Sequence, residues 1–173
     1  MSFWDEIHAK SLITEFYGDR KAERSGVPLI NHIREGLAIL KHLNADSDTK
    51  AAYCLHPIVQ HDDDIGNNLY QLALFNSKIV AYVMEYRNVA NRHLSDNVQH
   101  ADWGALWTGK PIKLSPLKEV NMMLIADKVQ NAADFEIYHK GTHPRSEELD
   151  LYFKTWHKAL EINYEELRKV IKG

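Results

Sequence analysis

Apolar residues recur every three or four positions in nearly every long segment of this chain, which is the spacing of one buried helix face. Ile33, Leu37 and Leu40 follow it, as do Ile79, Val83 and Tyr86. Near the C-terminus Leu149, Phe153, Trp156, Leu160, Leu167 and Ile171 form one stripe. No segment alternates apolar and polar residues as a half-buried strand would, and there is no internal repeat or low-complexity tract. The expected fold class is all-α. A length of 173 residues suits one domain spanning 1–173 on one core.

The helices are expected over roughly 3–18, from an N-cap at Ser2 and with Trp4, Ile7 and Phe16, and then after the charged loop DRKAERSGVP. A third, capped by Asp46 or Ser47, should run through Ala51, Leu55 and Val59. One further helix is expected over 66–94, one over 116–138 and a last over 146–171. The run HDDDIGNN is expected to end the third helix. Negative charge opposes the macrodipole at a helix C-terminus, which points to a turn or a cation contact at Asp62–Asp64. Residues 95–115, with Gly104, Gly109, Pro111, Trp103 and Trp107, form the longest irregular stretch. Such a loop is a binding loop or lid, or one pinned to the core by its tryptophans.

A formal charge of −3 argues against a nucleic-acid partner bound through bulk charge, but leaves room for a local basic pocket. Cys54 is the one cysteine, so neither an internal disulfide nor a cysteine zinc cluster is available, and a reducing compartment fits. No apolar run reaches membrane-spanning length, and MSFWDEIHAK has no signal-peptide pattern. No membrane partner is expected, and the cytoplasm is the expected location.

Four features carry chemistry. His32 opens a helix after GVPLIN; His56 sits in the apolar run AAYCLHPIV; His61 precedes the acidic triplet; and Asp127 lies inside LIADKVQNA. Val120, Leu124, Asp127 and Asn131 share one helix face, and a carboxylate on an apolar face is costly to bury unless it is paired or metal-bound. Two imidazoles and a carboxylate converging from three helices would suit a divalent transition metal such as Mn, Fe or Zn. The plain alternative is hydrogen-bonded core structure.

In their order and local context, GVPLINH, AAYCLHPIVQ and LIADKVQNA resemble the three signature segments of the HD-domain superfamily. They are most similar to the guanosine-tetraphosphate hydrolase domain of RelA/SpoT proteins and their small metazoan homologue, and the likeness covers roughly residues 20–135. The resemblance implies a helical bundle that handles a nucleotide or nucleotide-derived ligand. It makes His32, His56 and Asp127 metal ligands, and it places Arg20, Lys21, Arg24, Lys128 and Asn131 as candidate ligand contacts. The basic loop residues also read as a solvated charged loop.

The sequence departs from that pattern where catalysis is concentrated. Pro57 stands in place of the aspartate of the HD doublet and offers no ligand atom. Gln60 and His61 replace the Glu-Asp pair that the family links to water activation. Glutamine is no base at neutral pH, whereas histidine is one by its ordinary pKa. A rebuilt site would need a kink at Pro57 to swing His61 or Asp62 inward, which makes these two the candidate catalytic residues. Three functions stay open: a nucleotide-binding protein with impaired or lost hydrolysis, an active metal-dependent phosphohydrolase or pyrophosphohydrolase, and a non-catalytic interaction domain.

Overall fold

The computed structural model describes residues 2–98 and 112–172. Eight helices run through them: α1 (Ser2–Tyr17), α2 (Ile30–His42), α3 (Ser47–Leu55), α4 (Asp62–Leu72), α5 (Ser77–Val98), α6 (Lys118–Tyr138), α7 (Ser146–Ala159) and α8 (Tyr164–Lys172). A 3-10 turn, His56–Val59, follows α3 directly. Among the described residues the one strand-like contact is an isolated antiparallel bridge between Lys21 and Pro28, which closes the loop between α1 and α2. The fold is all-α. None of these helices is long and apolar enough to cross a membrane.

One buried cluster draws side chains from all eight helices, including Ile13, Leu40, Leu55, Leu72, Val83, Leu124, Trp156 and Leu167. α3 lies at its centre, with every residue from Ala51 to Leu55 buried. The inward face of α1 is carried by Ala9 and Ile13, whereas Trp4 is 73% exposed. α2 comes so close to α3 that a Cβ at Gly36 would overlap the Tyr53 ring and hydroxyl. Only glycine permits that approach.

Several boundaries differ from the sequence expectation. The helix expected over 66–94 is two helices, broken at Ala73–Asn76, because the Asn76 side chain accepts from the backbone N–H groups of Lys78 and Ile79 at 3.1 Å each and so starts α5 afresh. The helix expected over 146–171 also divides. Glu161 takes φ 53°, and Ile162 N–H bonds back to the His157 carbonyl at 2.8 Å, closing α7 before α8 begins. α5 continues through Val98, so residues 95–98 are helical where an irregular stretch was expected. Trp103, Gly104, Trp107, Gly109 and Pro111 lie outside the described residues.

The acidic triplet sits at the opposite kind of helix end from the one expected. α3 stops at Leu55, His61 is extended, and Asp62, Asp63 and Asp64 form the first turn of α4. There negative charge complements the positive end of the macrodipole, and Asp62 also makes a cation contact, with the Arg87 guanidinium.

Candidate metal centre and cavity

Three elements bring His32, His56 and Asp127 together: the first turn of α2, the 3-10 turn after α3, and the middle of α6. Pro57 explains the local path. In a continuing α-helix residue 57 would donate its N–H to the Tyr53 carbonyl, but proline has none. The His56 Nδ1 instead lies 2.6 Å from that carbonyl oxygen. The imidazole therefore donates from Nδ1 and turns the lone pair of Nε2 toward α2 and α6.

His32 is oriented in the same way by a different device. Its Nδ1 lies 2.6 Å from Oε1 of Gln130, a fully buried residue. The Gln130 amide nitrogen donates to Glu35 at 2.9 Å and Asp134 at 2.8 Å. Two carboxylate acceptors on one side fix the amide, so its oxygen must accept from His32 Nδ1. His32 Nε2 is left facing His56 Nε2 at 3.4 Å and Asp127 Oδ1 at 3.5 Å. The Tyr53 hydroxyl stands 3.4 Å from both the Nε2 and the carbonyl oxygen of His32.

The donor atoms of the three residues lie within 4.8 Å of one another, so the cluster could hold a metal ion. Two imidazole nitrogens and a carboxylate oxygen are the donor chemistry of zinc, iron and manganese sites. Two of the three separations, both from His32, agree as well. Separations of 3.4 and 3.5 Å are long for hydrogen bonds, whereas a tetrahedral ion with bonds of ~2.0–2.2 Å sets its ligands roughly 3.3–3.6 Å apart.

The surroundings tune the charges. Burial would raise the Asp127 carboxyl, but Lys128, His32 and His56 outweigh it and hold Asp127 at about 2. Lys128 Nζ pairs with Asp127 Oδ2 at 2.8 Å and lies over the rings of Tyr152 and Trp156. Burial disfavours its charge, but Asp127 reverses that and pushes the ammonium up. Asn131 donates to Asp127 Oδ1 at 2.9 Å. Burial, followed by repulsion from His32, lowers His56 to about 3, so its ring is neutral near pH 7. That ring packs between Tyr53 and Tyr86, with centroids at 4.9 and 4.6 Å.

A cavity of about 760 Å³ opens over this cluster. Of the residues singled out from sequence, His32, His56, Asp127, Lys128, Asn131, Arg20 and His61 line it, whereas Lys21, Arg24 and Asp62 do not. Asp62 is 96% exposed and pairs with Arg87, whose side chain also donates to the Val59 carbonyl. The break at Pro57 thus brings His61 to the cavity wall and leaves Asp62 outside. Gln60 is held in a reciprocal pair with Asn91: its amide donates to Asn91 Oδ1 at 2.7 Å, and Asn91 donates to the Gln60 carbonyl at 3.1 Å.

Sequence reasoning missed Tyr53, Gln130, Glu35, Asp134 and Tyr86. A signal for three of them was present. Glu35 follows His32 by three positions, Gln130 follows Asp127 by three, and Asp134 follows Gln130 by four, so each pair shares a helix face.

Comparison of the chain with protein-family models, curated proteins and solved structures returns no match in any of the three.

Proposed function

We propose that this protein is an HD-type nucleotide-binding protein that holds a divalent cation at His32, His56 and Asp127 and has lost most or all hydrolytic capacity. The observation that carries the metal assignment is the pair of oriented Nε2 lone pairs, 3.4 Å apart, beside the Asp127 carboxylate. Support for the ligand comes from the order of the three signature-like segments and from the cavity over the cluster, whose volume suits a small molecule of nucleotide size. When bound, a Mn, Fe or Zn ion supplies Lewis acidity toward a phosphoryl oxygen.

The chain's own residues argue against efficient turnover. Pro57 gives no fourth ligand. Gln60 is a neutral amide engaged with Asn91. Asp62 is turned to Arg87. Gln60, His61 and Asp64 reach the cavity from this stretch, and His61 is exposed.

The test is incubation with MnCl2 and a panel of guanine and adenine nucleotides, with each mixture read for released phosphate or pyrophosphate and for thermal shift. The expected result is a Mn-dependent rise in Tm without turnover, because a ligand that binds only the folded state stabilises it. Turnover abolished by chelator would instead establish a phosphohydrolase. Neither shift nor turnover would leave an interaction domain.

A further inference from the structure

The charges around the cavity limit what it can hold. Among the described lining residues Arg20 and Lys128 are the Lys and Arg side chains, against the carboxylates of Asp64, Asp127 and Asp134. Lys128 is already committed to Asp127. The Arg20 guanidinium donates to the Phe16 and Tyr17 carbonyls and lies 4.8 Å from the Phe16 ring centroid. A further carboxylate, Glu35, stands behind the wall and shares the Gln130 amide with Asp134. Without a cation the lining is net acidic. A divalent ion on His32, His56 and Asp127 brings the lining to about one positive charge, and only to neutrality once Glu35 is counted.

A phosphate monoester carries about 1.5–2 negative charges at pH 7, so one such group already uses up the positive charge of the loaded cavity. Each additional phosphate would stand near Asp64 or Asp134 with no further cation among the described lining, at a cost that grows as the site excludes water. The rest of the wall is suited to an aromatic base, since Tyr17, Phe135, Tyr152 and Phe153 line it.

We infer that the ligand is a nucleoside monophosphate, and that the cavity discriminates by charge against polyphosphorylated nucleotides, guanosine tetraphosphate included. This inference rests on the proposed metal-dependent nucleotide site and names its ligand class. Discrimination is set in part by Asp134, because it is the wall carboxylate fixed in place by Gln130.

The experiment compares guanosine monophosphate with guanosine tetraphosphate in the presence of MnCl2 by calorimetric titration of the full chain. It is run at low and high ionic strength, and on the Asp134→Asn variant. Asparagine keeps an acceptor for the Gln130 amide, so the variant should fold. The monophosphate should bind at least tenfold tighter at low salt, and both added salt and Asp134→Asn should narrow the ratio. Equal or tighter binding of the tetraphosphate overturns the inference while leaving the nucleotide site standing. A ratio unmoved by salt and by the variant overturns its electrostatic basis. Binding of neither nucleotide overturns the site and the inference together.

Discussion

Pro57 has two consequences that point in different directions. It offers no ligand atom where the resembled HD-domain segment carries an aspartate, and that difference is legible from sequence. It also removes an N–H, which leaves the Tyr53 carbonyl to the His56 Nδ1 at 2.6 Å. The residue that offers no ligand atom therefore aims the imidazole beside it. His56 and Asp127 could be picked out because lone polar groups on apolar helix faces are expensive and need an explanation, and His32 by its place after GVPLIN. Gln130 carried a weaker signal, its three-residue spacing from Asp127. A glutamine on a helix is ordinary, and its role depends on partners 95 and 98 positions away. It is a positioning residue for His32. Gln130→Leu should weaken Mn binding by ~10–100-fold, as loss of an orienting partner does, in a chain whose circular dichroism is still helical. Unchanged affinity in the folded variant would show that His32 needs no such support.

At the scale of the elements, the helices were readable and their ends only partly so. α3 begins where Asp46 was expected to cap it. Asp46 Oδ1 accepts from Thr49 N–H at 2.8 Å and from the Thr49 hydroxyl at 2.6 Å, and Lys78 pairs with its other oxygen. The break between α7 and α8 was not legible, because the left-handed residue there is Glu161, where a glycine would have marked it. The acidic triplet was assigned to the wrong helix end because α3 was expected to run through Val59, whereas Pro57 converts its last turn to 3-10 geometry. The cap yields a prediction with a definite sign. Burial raises the Asp46 carboxyl, but the Thr49 hydrogen bonds and Lys78 outweigh it and leave the folded pKa lowered. Its contribution to stability is therefore whole above the unfolded aspartate value of about 4 and is lost as pH falls through the lower folded value. Asp46→Ala should cost about 1 kcal/mol at pH 7 through loss of the cap. Asp46→Asn should retain most of the cap yet flatten the acid limb of the stability curve below pH 4. Urea melts of the three proteins across pH 2–7 would check both, and coincident curves would rule out the capping role.

For the molecule as a whole, the all-α class followed from periodicity, since one repeat pattern governs nearly every segment. The cavity did not, because its wall is assembled from α1, the α1–α2 loop, α4, α5, α6 and α7 around the three-residue cluster. The arrangement combines a pocket with oriented donors at its base, an acidic wall, and Gln60 and His61 on that wall. The central claim is that His32, His56 and Asp127 bind one cation. The most direct measurement is metal content by elemental mass spectrometry after loading with Mn, Fe or Zn and exhaustive dialysis, for the wild-type chain and for His32→Gln and His56→Gln. One ion per wild-type chain, absent from both variants while their helical spectra persist, is the predicted result. No retained ion in the wild-type chain, or equal retention in all three proteins, would contradict it.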